Sequence, residues 1–170
     1  GSMPQPIRVL VVDDSAFVRK VVTQMLSRSA AIEVVGAARD GEEALELTER
    51  LAPDVITLDL VMPRMNGVEF LRRQGARRPV AVVVCSIAHE TGEMALEAFE
   101  AGAVDFVQKP TALATDRVFE IAAELIAKVE AAAQANVART SPASRPAAPV
   151  PAGERARGAG RADVVVIGIS

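Results

Sequence analysis

Apolar and polar positions along this chain switch back and forth between two periods five times. Ile7–Val12 is a short run rich in β-branched residues and reads as a strand. Ser15–Arg28 follows with Phe17, Val18, Val21, Val22, Met25 and Leu26 at helical spacing. Glu33–Ala37 predicts a second strand, and Gly41–Leu51 a helix that turns Ala44, Leu45 and Leu47 inward and stops at Pro53. Val55–Leu58 predicts the third strand and Val68–Arg73 a short helix. Val80–Val84 is apolar at every position, as expected of a strand covered on both faces. Gly92–Ala101 then predicts a helix, Val104–Val107 the fifth strand, and Thr115–Ala133 a long Ala-rich closing helix.

Strict alternation of strand and helix implies parallel strands joined by right-handed crossovers, with helices on both faces. Five such units in one domain, residues 4–133, predict an α/β, doubly wound (βα)5 sheet of order 2-1-3-4-5 with flavodoxin-like topology. Ligands of such sheets bind beyond the carboxyl ends of the strands. Residues 134–163 differ in kind. Sixteen of the thirty are Ala, Pro or Gly, and the stretch reads as a flexible linker. Val164–Ile167 restarts an apolar strand, so residues 164–170 read as the first residues of a second domain, cut off. Gly1-Ser2-Met3 has the look of an expression scar and is left out of the fold.

Half of the residues are apolar but only five are aromatic, all Phe, so the core is expected to be aliphatic. Residues 134–170 carry five Arg against Glu154 and Asp163, which leaves residues 1–133 with a formal charge of −6 out of the chain's total of −3. An acidic domain argues against nucleic-acid binding by this part of the chain. Cys85 is the sole cysteine and His89 the sole histidine, so an intrachain disulfide and a Cys/His zinc cage are both excluded. Cys85 reads as a small buried hydrophobe, with a reactive thiol as the other reading. No bilayer-spanning segment and no signal peptide are visible, and the expected location is cytoplasmic.

The chemistry collects at the strand ends. The first strand runs into Asp13-Asp14, the third into Asp59, the fourth into Ser86, and the fifth leads to Lys109-Pro110. One polar residue after a strand is ordinary loop composition, whereas five on one rim form a constellation. Three carboxylates with ordinary values of ~3.9 would be ionised together and repel one another at neutral pH. A hard divalent cation offsets them, and Mg²⁺ takes one or two carboxylates plus water and phosphate oxygens. Asp59, presented alone by the central strand, is the candidate nucleophile. A carboxylate can become an aspartyl phosphate, a reaction that needs chiefly positioning and charge neutralisation. Asp13 and Asp14 can hold the ion directly and through water, with the Val61 carbonyl as a further ligand. Ser86 and Lys109 would each meet a phosphoryl oxygen.

These residues resemble a known family. Val11-Val12-Asp13-Asp14-Ser15, the segment Leu58-Asp59-Leu60-Val61-Met62-Pro63-Arg64-Met65-Asn66-Gly67, Ala101-Gly102-Ala103 and Phe106-Val107-Gln108-Lys109-Pro110 are similar to receiver domains of two-component response regulators. The resemblance spans about residues 7–130. It implies phosphoryl transfer from a histidine kinase to Asp59, a cis bond at Lys109-Pro110, and a switch in which Ser86 moves toward the phosphoryl group. It makes Phe106 the aromatic that changes rotamer with that switch, although the residues alone equally make Phe106 part of the core. Met62-Pro63 and Asn66-Gly67 need only be a loop closed by a turn; the resemblance assigns them to shaping the site.

The linker and the ending Val164-Val165-Val166-Ile167-Gly168-Ile169-Ser170 resemble the chemotaxis protein-glutamate methylesterase (CheB-type), in which a linker joins a receiver to an esterase domain. That resemblance implies a methylesterase output regulated by Asp59, with chemoreceptors among the partners. It matches Ser170 to the esterase nucleophile, whose His and Asp partners are absent from this chain. Members of that family usually have an acidic residue two places after the phosphoacceptor, where this chain has Val61. A receiver with a DNA-binding or signalling-enzyme output is the alternative. A haloacid-dehalogenase-type phosphatase would need Asp at position 61. An FMN carrier would need a hydroxyl-rich phosphate loop where Asp13-Asp14 stand, and Gly168-Ile169-Ser170 is too short to count as a dinucleotide site.

Overall fold

A computed structural model describes residues 5–77, 79–86, 92–109 and 117–140. Five strands, β1 (Ile7–Val12), β2 (Ile32–Ala38), β3 (Val55–Leu58), β4 (Ala81–Ser86) and β5 (Asp105–Gln108), alternate with α1 (Ala16–Leu26), α2 (Gly41–Leu51), α3 (Gly67–Arg77), α4 (Gly92–Glu100) and α5 (Arg117–Thr140). All strand pairings are parallel and the order is β2-β1-β3-β4-β5, as the alternation predicts.

Successive side chains of a strand point to opposite faces, and both faces here are buried. Val9, Val11, Val55, Val83, Cys85 and Val107 pack on one side with Val18, Val22 and Leu26 of α1 and Leu125 and Val129 of α5. Leu10, Val12, Ile56, Leu58, Val82 and Val84 pack on the other with Ala44 and Leu45 of α2, Phe70 and Leu71 of α3 and Ala98 of α4. The two-sided burial explains why β4 reads as an unbroken apolar run.

Local chemistry sets the helix ends. Ser15 accepts the Val18 N–H at 3.2 Å and starts α1. Asp40 accepts the Glu43 N–H at 2.8 Å while Glu43 accepts the Arg39 N–H at 2.9 Å, a reciprocal cap on α2. The stop of α2 lies one residue before Pro53, at Ala52, which takes the left-handed conformation at φ +50°.

Most element ends shift from expectation by a residue or two, and three of the differences bear on the fold. α3 runs on from Arg73 to Arg77 through Gly75, a glycine that costs about 1 kcal/mol in a helix, with Leu71 and Gln74 both buried on its inner face. β4 extends to Ser86 because Cys85 and Ser86 still pair with Val107 and Gln108 of β5. α5 passes Ala133 and reaches Thr140, since Ala raises helix propensity as readily as it fills a linker. The Lys109-Pro110 bond, the segment 87–91 with His89, and residues 164–170 with Ser170 lie outside the described residues. No helix among the described residues is long and apolar enough to cross a membrane.

Candidate functional site

The last rungs of the sheet place the rim residues. The Asp13 N–H donates to the Ala38 carbonyl at 3.0 Å, the Asp59 N–H to Val12 at 2.9 Å and the Lys109 N–H to Ser86 at 2.8 Å. Asp13, Asp59 and Lys109 are thus each the first residue past their strands, held by the ladder of the strand beside it, while Ser86 is the last residue of β4. Register, set by the buried apolar alternation, becomes a fixed position for each side chain.

Three carboxylates meet there. Asp13, Asp14 and Asp59 each offer an oxygen, and these oxygens lie within 4.8 Å of one another. Asp13 and Asp59 are buried and Asp14 is exposed. Lys109 enters from beyond β5 and places its Nζ 3.3 Å from Asp13 Oδ2 and 3.2 Å from Asp59 Oδ1. Ser86 is fully buried at the end of β4. The Val61 N–H reaches Asp59 Oδ1 at 3.3 Å, while its side chain stands 45% exposed at the rim. Sequence reasoning therefore names residues that the fold does bring together.

The electrostatics are unbalanced. Burial, and then the neighbouring Asp13 charge, push the Asp59 carboxyl up to about 7 against the pull of Lys109. Burial also raises Asp13, opposed by the Ser15 N–H and by Lys109. Burial alone would lower Lys109, but Asp13 and Asp59 together hold its ammonium above the usual value, so it stays charged. One lysine is shared by two buried carboxylates. The other oxygen of Asp59, Oδ2, is buried with no hydrogen-bond partner among the described residues. An unsatisfied carboxylate oxygen beside two further oxygen donors is the donor set that suits a hard divalent cation.

Two more predicted residues separate from the cluster. Phe106 is half-buried on β5 against the α2–α4 side of the core, its ring centroid 6.0 Å from that of Phe99 on α4. Cys85 lies beneath the rim, and burial first, then Asp13, pushes its thiol up to about 12, which makes it a core residue and not a nucleophile.

The sequence reading passed over three cross-element contacts. Arg19 Nη1 on α1 donates to the Asp13 carbonyl at 2.8 Å. Arg64 Nη1 donates to Asp40 Oδ2 at 2.9 Å, joining the loop after β3 to the start of α2. Lys128 Nζ on α5 donates to the Phe106 carbonyl at 2.6 Å. For Arg64 a signal did exist: Asp40-Gly41-Glu42-Glu43 has the capping-box pattern, which fixes the Asp40 carboxylate where a cation can meet it.

Comparison with known proteins agrees with this geometry. Residues 9–120 match the model of the response regulator receiver domain family. The chain is 53% identical over 163 residues to protein-glutamate methylesterase/protein-glutamine glutaminase 5 of Myxococcus xanthus, covering 95% of this chain and 46% of the relative. It is 52% identical over 132 residues to the protein of the same name from Symbiobacterium thermophilum, covering 77% and 36%. The chain thus spans less than half the length of these relatives. Among solved structures, the response regulator domain of Thermotoga maritima CheB aligns with a TM-score of 0.69 and 41% identity, over 76% of this chain and 98% of that one. A five-stranded parallel sheet with its carboxylates at the switch point, a family match over most of the chain, and a full-length match to a solved receiver lead to one assignment: the chain belongs to the response regulator receiver family.

Proposed function

We propose that Asp59 accepts a phosphoryl group from the phosphohistidine of a histidine kinase, in a Mg²⁺-dependent reaction, and that its occupancy regulates a C-terminal protein-glutamate methylesterase. The observation that carries this reading is the buried, unpartnered Asp59 Oδ2 set among Asp13, Asp14 and Lys109. Asp13, Asp14, Asp59 and the Val61 carbonyl would hold the cation, which when bound neutralises charge on the phosphoryl oxygens.

The chain's own residues divide the remaining work. An Asp59 oxygen attacks phosphorus as the P–N bond to the donor imidazole breaks, and the imidazole leaves with that electron pair. Lys109, already within 3.2 Å of Asp59, moves its charge from the carboxylate to the new acyl phosphate. Ser86 donates its hydroxyl to a second phosphoryl oxygen, and Phe106 changes rotamer as Ser86 moves. Phe106 sits against exposed Phe99 on α4, so such a change reaches a surface that an output domain can read.

The methylesterase output rests on the relatives' names and on the likeness of Ser170 to an esterase nucleophile. These residues by themselves support no esterase chemistry, because a serine needs a base and an oxyanion hole. Regulation of the esterase, chemoreceptors as its targets, a linker over the part of 134–163 that follows α5 and a cytoplasmic site of action all belong to this proposal.

The test is phosphorylation by acetyl phosphate with and without Mg²⁺, read by intact mass on wild type and Asp59→Asn. Metal-dependent labelling lost in the variant is expected. Absence of labelling in the wild type with Mg²⁺ present would overturn the phosphoacceptor assignment.

A further inference from the structure

Among the described residues only Ala52 and Arg64 are non-glycine residues at positive φ. Ala52 is accounted for as the left-handed end of α2. Arg64 stands at φ +68° in the loop between β3 and α3, and the N–H of Met65 donates back to the carbonyl of Pro63 at 2.8 Å. A three-residue turn closed around a positive φ is a rare and strained one, and a residue with a Cβ gains nothing from adopting it. Strain of this kind persists only where the surroundings over-determine it.

The surroundings do so here. The Arg64 guanidinium meets Asp40 Oδ2 at 2.9 Å, and Asp40 is itself 5% exposed with its other oxygen capping α2. Met65, buried, lies so close to Gly41 that a Cβ there would come within 2.8 Å of its side chain. At the far end of the loop a Cβ on Gly67 would lie 2.7 Å from the carbonyl of Asp59 itself. Leu60, Met62 and Met65 are sunk in the core while Val61 is left at the rim. Among the described residues, this loop meets the Asp59 carboxylate through one long hydrogen bond, from the Val61 N–H at 3.3 Å. A weak contact at the reacting end takes its position from the strong anchor at the other.

We propose that Arg64 is a positioning residue for the chemistry at Asp59: its ion pair with Asp40 holds residues 60–66 in the strained geometry that presents the Val61 backbone to the phosphoacceptor. Ion pairs between two exposed groups contribute little, but this carboxylate is buried and already oriented by a helix. Its pull on Arg64 therefore acts on a defined backbone position. The inference deepens the proposed function and rests on it.

The test compares Arg64→Gly, Arg64→Lys and Asp40→Asn. Glycine removes the strain together with the ion pair. Lysine keeps a charge for Asp40. Asparagine preserves the helix cap but not the charge that Arg64 meets. In Arg64→Gly and Asp40→Asn the rate of acetyl phosphate labelling and the lifetime of the label on Asp59 are expected to change by roughly 3- to 10-fold. Hydrogen exchange at the Val61 amide should speed up in step, melting should stay near that of wild type, and Arg64→Lys should remain closest to wild type in both readouts. Wild-type labelling, lifetime and Val61 exchange in Arg64→Gly and Asp40→Asn would remove this inference alone. A wild-type chain that takes no label with Mg²⁺ would remove the proposed function and this inference with it.

Discussion

The two ends of one sheet treat their charges in opposite ways. At the amino end of the strands, Arg8 of β1 donates from Nη1 to the Leu51 and Ala52 carbonyls at the close of α2. Its backbone N–H gives to Asp54 Oδ2 at 2.9 Å, and the Asp54 N–H returns a bond to the Arg8 carbonyl at 2.8 Å. Each of these charged groups has partners, and the helix loses no carbonyl to an apolar surround. At the carboxyl end, two buried carboxylates share one lysine, a third stands at the surface, and Asp59 Oδ2 has no partner among the described residues. The same strands carry both ends, so general stability of the fold does not account for the difference. The amino end is finished by folding, and the carboxyl end is left for something else to finish.

If that contrast is real, it can be broken from either end. The largest effect is expected from Lys109→Met, which leaves Asp13 and Asp59 buried without a counter-charge. At pH 8 in the absence of divalent ions the variant should lose roughly 3 kcal/mol of unfolding free energy. Much of that loss should return at pH 5, where the carboxylates protonate, and urea unfolding at the two pH values measures it. An equal loss at both would mean that the lysine acts by packing alone.

The pH dependence of the wild type is the next largest effect. The folded Asp59 carboxyl at about 7 lies above its ordinary 3.8, so the folded state binds a proton more tightly than the unfolded chain. Its contribution to stability is therefore fully present below pH ~4, falls as pH rises through the window from 3.8 to about 7, and is flat above. The raised Asp13 adds a slope of the same sign. Against Asp59→Asn, wild type should lose up to ~1.4 kcal/mol per pH unit within that window. A parallel pair of curves would contradict the assignment.

At the amino end, Arg8→Ala should cost roughly 1–2 kcal/mol through the lost carbonyl partners of α2 and leave acetyl phosphate labelling of Asp59 unchanged. A labelling defect there would mean that the two ends are not separable. The smallest expected change is Val61→Glu. The Val61 side chain, 45% exposed at the rim beside Asp59, is apolar and offers water no polar partner, so a carboxylate there should change the label's lifetime by a few-fold, on the order of 3. A lifetime in Val61→Glu equal to that of wild type, measured as loss of label over time, would sink the idea.

Much of this was legible in the sequence, and the reason is dimensional. Strands β1 and β3 and the residues Asp13, Asp59, Ser86 and Lys109 follow one another in order along the chain, and parallel alternation alone brings their ends to one rim. Arg64 with Asp40 and Arg19 with the Asp13 carbonyl join different elements. Such pairs depend on which loops become neighbours and where a long side chain points, which periodicity does not encode. The extent of α5 was hidden for another reason: Ala-rich composition after Ala133 serves a helix and a linker alike, and the described helix continues to Thr140. Asp59 Oδ2 could not be foreseen at all, because an unsatisfied atom is defined only once every neighbour has a place.

The central claim is that the carboxyl end is unfinished because it is built for a cation and a phosphoryl group. Thermal unfolding of wild type and Asp59→Asn, each with and without Mg²⁺, tests it most directly. The account predicts that Mg²⁺ raises the melting temperature of wild type, that Asp59→Asn without metal melts above wild type without metal by an amount worth roughly 1–2 kcal/mol, and that Mg²⁺ adds much less to the variant. A wild type indifferent to Mg²⁺, together with an Asp59→Asn variant less stable than wild type, would contradict it.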